Sequence, residues 1–190
     1  MRRWLTRWFP VRSLDHVGAG AYGLIGATVI SADSIASTIA PTHAAAIRWT
    51  LLYEHSQVGS SRGGGGRDST LHPFASGWRG ESIVLRAACG RTIGVALGDA
   101  RLRAPIDPAD GTPLGTSPAS SATYGALVSR APAGSGTVFV REHGIQAGQT
   151  VRLHAWLEPV GSTGGYRDAA SPTTVQFRAT DVTLEDDLRD

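Results

Sequence analysis

The stretch "HVGAGAYGLIGATVI", residues 16–30, decides how this chain is read. Gly18, Gly20 and Gly23 spell G-x-G-x-x-G, the spacing of a dinucleotide-binding turn, and an apolar run follows. Such a turn works between a buried strand and a helix, because the helix N-terminus holds the pyrophosphate. The residues before it, "RSLDHV", place Asp15 and His16 where a buried parallel strand is continuously apolar. The residues after it include Gly23, Gly26, Thr28, Val29 and Ile30, all poor helix formers. No acid stands about 20 residues beyond the glycines to take a ribose hydroxyl. Asp33 comes too soon and Glu54 too late. The segment therefore reads as a β-strand, Tyr22 to Ser31, opened by a turn at "GAG" and holding glycines at close-packed points. A nucleotide-using enzyme becomes the least favoured function.

A second apparent motif fails the same test of context. "GSSRG", Gly59 to Gly63, matches the G-x-S-x-G nucleophile elbow, which needs a helix directly after its serine. Ser61 is followed by Arg62 and then by Gly63 to Gly66, which cannot hold one.

Outward from these glycines the chain keeps a strand rhythm. In residues 44–58, Ile47, Trp49, Leu51 and Tyr53 alternate with Arg48, Thr50, Leu52 and Glu54. A long connection then leads to a partner strand. "SIVLRAACGRTIGVAL" reads as a hairpin of Ser82 to Ala87 and Thr92 to Leu97, turning at Cys89-Gly90. "GTVFVREHGI" is a further strand. In "GQTVRLHAWLEP", Val151, Leu153, Ala155 and Leu157 alternate with Arg152, His154, Trp156 and Glu158 after a turn at Gly148-Gln149. "TTVQFRATDVTL" is the last. "IGATV" (Ile25 to Val29) and "LHAWL" (Leu153 to Leu157) share one pattern, which suits two strands facing a small barrel core. Residues 56–72, 104–122 and 160–172 are rich in Gly, Ser and Pro and read as loops. The expected fold is all-β: a small antiparallel barrel or sandwich, OB-like, as one domain over residues 14–184.

Composition narrows the chemistry. All 18 basic residues are arginine, so neither a Schiff-base lysine nor a P-loop lysine exists here. Net charge is +2, with four arginines in residues 1–12 and five acids in residues 181–190. The excess is terminal, whereas a nucleic-acid binder carries its basic stripe on the folded domain, so nucleic acid is disfavoured as a partner. A single cysteine, Cys89, excludes an internal disulfide and a Cys-rich zinc site. It reads as a small apolar filler, with a reactive thiol as the other reading. His16, His43, His55, His72, His143 and His154 show no metal-ligand spacing. Trp49, Trp78 and Trp156 read as core or core-edge residues. No catalytic, cofactor or metal residue is assigned.

The termini stand apart. On a helical projection of "MRRWLTRWFP", Trp4, Leu5, Trp8 and Phe9 share one arc and Arg2, Arg3, Thr6 and Arg7 the other, until Pro10 ends it. That makes residues 1–13 a short N-terminal amphipathic helix. Its contact residues Arg2, Arg3, Trp4, Leu5, Arg7, Trp8 and Phe9 suit a membrane surface or a protein partner. Packing on the domain's own core is the other reading. A basic start before "VGAGAYGLIGATVI" also has some likeness to a secretory signal, interrupted by Pro10, Asp15 and His16. A cytoplasmic, membrane-associated protein is expected, with secretion as the alternative. Residues 185–190 read as an acidic tail.

The order of features resembles the GIDE-type (BAM-type) β-domain of membrane-anchored RING ubiquitin ligases and their RING-less prokaryotic relatives. The likeness covers about residues 20–160 and lies in "IGATVISADSIASTIAPTHAAAIRWTLLYE", the hairpin "SIVLRAACGRTIGVAL" and the phrase "REHGIQAGQTVRLHAWLEP". It departs from the family at "RAACG", which lacks an acid, at Gln149 and at Ala155. The resemblance implies a non-catalytic recognition or scaffolding domain for a protein partner. One cysteine and scattered histidines cannot make a RING, so ligase activity is not implied. An OB-type domain binding nucleic acid or polysaccharide is the alternative function.

Overall fold

The apolar run after the glycines is a strand. The computed structural model describes residues 10–17, 20–31, 33–57, 68–104, 111–133, 135–160 and 175–186. Its strands are β1 (Ala21–Val29), β2 (Ile35–Ala36), β3 (His43–Ala44), β4 (Ala46–Gln57), β5 (Asp68–Arg79), β6 (Ser82–Ala87), β7 (Thr92–Ala96), β8 (Arg101–Arg103), β9 (Thr112–Pro113), β10 (Val138–Ile145), β11 (Thr150–Pro159) and β12 (Phe177–Asp186). One helix, α1 (Pro118–Tyr124), precedes a 3-10 turn over Gly125–Arg130. The expected N-terminal helix, with Arg2, Arg3, Trp4, Leu5, Arg7, Trp8 and Phe9, lies outside the described residues. So do residues 58–67 and 161–172 of two expected loops.

Five strands close a barrel in the order β11-β1-β6-β7-β12, with β12 returning to pair with β11. Every pairing is antiparallel except β12 against β7. Counted along the chain the barrel strands run 1-2-3-5-4, the Greek-key order of an OB barrel. The period-2 pattern explains the inside: Ile25, Ala27, Val29, Ile83, Leu85, Ile93, Val95, Val151, Leu153, Ala155, Leu157 and Leu184 are buried together. Two fingerprint glycines are packing devices. A Cβ on Gly23 would lie 2.5 Å from Leu157 Cδ1, so glycine leaves the barrel room for that leucine. Gly20 has φ +135° and sits under the Trp156 indole. No helix follows either.

Residues 10–17 seal the barrel. The Val11 N–H donates to the Tyr22 carbonyl and the Leu24 N–H donates to the Val11 carbonyl, both at 2.9 Å. A 3-10 turn, Leu14–His16, then drops Leu14 and Val17 into the core cluster. The folded domain thus reaches back past the expected boundary at residue 14, because Val11 hydrogen-bonds to the free edge of β1.

The long insertions after β1 and β8 build a second sheet, β5-β4-β10-β9. Its covered face holds Leu51, Tyr124 and Val140, with Ile39, Trp49, Phe74, Ala75, Leu114 and Leu127 around them. Trp78 joins it to the barrel: its ring packs on the barrel core and its Nε1–H donates to the Ala100 carbonyl at 2.8 Å.

Four expectations are corrected. Residues 56–57 and 68–72, read as loop, are the end of β4 and the start of β5, because the ladder between them continues from Glu54 opposite Leu71 to Gln57 opposite Asp68. Residues 104–122 are not all loop, since α1 begins at Pro118, whose fixed φ suits the first helical turn. Seven residues with one large anchor carry no amphipathic period; this helix is held by burial of Tyr124. Glu185 and Asp186 are not tail but the end of β12. Asp186 is tolerated inside because His143 and Gln149 satisfy it. Cys89 is exposed at the β6–β7 turn rather than filling the core, because Gly90 at φ +82° turns the chain outward there.

Candidate functional site

Glu142 is the most heavily coordinated side chain among the described residues. It stands on β10 opposite Trp49 of β4, on the face that α1 covers. Its side chain is 3% exposed. A carboxylate out of water needs donors on both oxygens. The Ser37 hydroxyl donates to Oε2 at 2.6 Å and the Thr38 N–H to the same atom at 2.9 Å. Oε1 accepts from the Thr38 hydroxyl at 2.8 Å, from the Tyr124 hydroxyl at 2.6 Å and from Arg79 Nη1 at 3.2 Å. Four segments meet there: the β2–β3 connection, the end of β5, α1 and β10.

The electrostatics follow from those contacts. Burial pushes the Glu142 carboxyl up, but hydrogen bonds from Ser37, Tyr124 and Thr38 outweigh it, and the net shift is down. Burial, and then the carboxylate beside it, push the Tyr124 phenol up. Both groups are locked in one protonation state near neutral pH. A carboxylate with five donors on it is spent on architecture and is poorly placed to accept a substrate proton.

A second buried carboxylate ties the barrel to the second sheet. His143 Nε2 lies 2.9 Å from Asp186 Oδ2, and the Asp186 side chain is 1% exposed. Gln149 Nε2 donates to Asp186 Oδ1 at 2.7 Å, while Gln149 Oε1 accepts the Gln146 N–H at 2.7 Å. This chain fixes the turn before β11 against the end of β12.

The barrel carries a groove of about 480 Å³ on its outer wall, where β6, β7 and β12 meet. Val84, Ala96, Val160, Val175, Arg178 and Thr180 contribute to its lining. Gly94 lets Val175 lie close against the wall, since a Cβ there would come within 2.9 Å of it. The outward positions of β6 and β7 are Ser82, Val84, Arg86, Gly94 and Ala96, with no aromatic ring.

No family model, curated protein or solved structure matches this chain.

The sequence-predicted groups do not converge. Among the described residues no three His, Cys, Asp or Glu side chains are grouped to hold a metal ion. No described helix is long and apolar enough to cross a membrane. Trp49 and Trp78 sit at core edges as expected, and Trp49 lies 5.4 Å from Tyr124, ring to ring. Sequence reasoning missed Glu142 and Tyr124. The available signal was slight: an acid two residues from Val140 on a strand, and one large ring in a Pro/Ser/Gly stretch.

Proposed function

We propose that this chain is a non-catalytic binding or scaffolding β-domain for a protein partner, peripheral to a membrane. The observation that carries the reading is the groove on β6, β7 and β12. It is lined mainly by aliphatic side chains, with Arg178 and Thr180 among them. Those features suit an extended aliphatic segment of another protein, flanked by an acid for Arg178. The resemblance to the GIDE-type β-domain supports the same class of function. So does the use of Glu142 as a structural knot rather than an accessible base.

The test is a photo-crosslinking residue at Ala96, within the groove, compared with one at Ala88, on the far turn. A discrete adduct at position 96 and none at 88 is the expected result. Adducts at neither position, or at both alike, overturn the reading.

The membrane part rests on the sequence pattern of residues 1–9, with Trp4, Leu5, Trp8 and Phe9 on one arc and Arg2, Arg3 and Arg7 on the other. Liposome flotation of the full chain and of a variant lacking residues 1–10 tests it. The full chain should float and the truncated one should not; equal behaviour sinks the membrane part alone.

A second reading, an OB-type binder of nucleic acid or polysaccharide, draws on the strand order. The β6–β7 wall lacks the aromatic rings on which bases or sugars stack, which favours the protein partner.

A further inference from the structure

The face of the second sheet turned away from Glu142 holds an unusual arginine. In register across β4, β5 and β10, Arg48 is opposite Trp78 and His143, and Thr50 is opposite Ser76 and Arg141. The Arg48 guanidinium lies over the Trp78 ring, 5.5 Å from its centre. Its Nη2 donates to the Ser76 hydroxyl at 2.9 Å. Burial lowers its pKa, so the charge is partly stripped of water. Among the described arginines, the other partly buried ones have partners: Arg79 has Glu142, and Arg141 has an interaction of its own. Among the described residues no carboxylate lies within ion-pair distance of Arg48. Asp186, which meets His143 from the barrel side, is already held by His143 and Gln149.

A half-desolvated cation without a counter-charge is a poor structural choice unless something else brings the charge. A guanidinium has five N–H donors; stacking on Trp78 uses a ring face and Ser76 uses one donor, which leaves most of the fork. Ser76 and Thr50 also line a shallow cavity of about 430 Å³, with Pro73, Phe74 and Ala75. Register sets two hydroxyls near the planar fork on one face of the sheet, Thr50 two residues along β4 and Ser76 across on β5. That suits a tetrahedral oxyanion better than a flat carboxylate, which needs the fork alone.

We propose that Arg48, Thr50 and Ser76 form a binding site for a phosphate group carried by a small ligand. The site lies on the insertion sheet, apart from the barrel groove, and stands or falls independently of it.

The experiment is an NMR titration of the full chain with inorganic phosphate at constant ionic strength, with chloride as control. Parallel arms use phosphoserine and single-stranded oligothymidylate. The Arg48 Nε–H and the Thr50 and Ser76 amides should shift and saturate with phosphate or phosphoserine. Arg48→Gln should weaken binding at least tenfold, and Arg86→Gln, on the barrel wall, should leave it unchanged. Ser76→Ala, at an exposed position, should weaken it several-fold and covers the case in which Arg48→Gln does not fold. Equal, non-saturating shifts in wild type, Ser76→Ala and Arg86→Gln would mean general screening and overturn the site. Saturation by the oligonucleotide alone would also overturn it, in favour of a phosphodiester surface.

Discussion

The Tyr124 hydroxyl donates to Glu142 Oε1 at 2.6 Å. This bond joins a seven-residue helix, too short to stand alone, to a strand at the centre of the second sheet. It couples the helix's register to a buried charge, and the charge to three further donor residues. Removing either partner therefore leaves the other under-satisfied in a nearly dry site.

Tyr124→Phe should lower stability by about 1.5–3 kcal/mol, the range for losing one hydrogen bond to a charged group. Urea unfolding measures the loss. Hydrogen exchange should place it in α1 and the following turn, with the barrel strands unchanged. Uniform loss of protection would contradict a local latch.

Glu142→Ala should cost more, about 3–5 kcal/mol, because Arg79 then keeps a partly buried charge without its acid. The pH dependence has a definite sign. The folded-state pKa lies below the ordinary value of 4.5. The carboxylate's contribution is thus complete above that value and is lost as pH falls through the depressed one. Wild-type protein should lose stability steeply on acidification below about 4.5, and Glu142→Gln should flatten that limb. Denaturant midpoints between neutral and strongly acidic pH provide the comparison; parallel curves would refute it.

Gly23→Ala and Gly26→Ala separate packing from pattern. The first puts a methyl 2.5 Å from Leu157 and should destabilise by about 1–3 kcal/mol. The second meets nothing within 4 Å and should be neutral or stabilise by about 0.5–1 kcal/mol, since alanine is less free in the unfolded chain. Thermal melts rank the two. Because Gly20 precedes a strand and Gly23 lies within it, millimolar NAD or ATP should leave both melts unmoved; a shift would revive the nucleotide reading.

Asp186→Ala leaves His143 and Gln149 without their shared acceptor and should cost about 1.5–3 kcal/mol. The turn carrying Gln146 and Gln149 should loosen with it, visible as faster amide exchange at Gln146 and Gln149. Unchanged exchange there would mean that the turn holds itself.

What the sequence determined by itself was local and periodic. Alternation made β1 and β11 strands, and the shared pattern of "IGATV" and "LHAWL" suited two strands facing one barrel core; the tertiary structure made them neighbours, with Ile25 directly opposite Leu153. The failed context of G-x-G-x-x-G and the turn at Gly148, with φ +83°, were legible for the same reason. Strand propensity and turn chemistry act between residues a few positions apart. Only the tertiary structure decided the fate of the polar groups. Glu142 and Arg48 both sit on half-buried strands and look alike in the one-dimensional pattern. One is a saturated structural anion because the β2–β3 connection, β5 and α1 fold over it. The other is a cation with no acid beside it among the described residues, because none of the described elements around it brings one. Tyr124 likewise makes a helix in a stretch whose composition says loop, because burial against Trp49 and a bond to Glu142 outweigh local propensity. A side chain's neighbours across 18 or 105 positions of sequence are set by topology, and no local period records them.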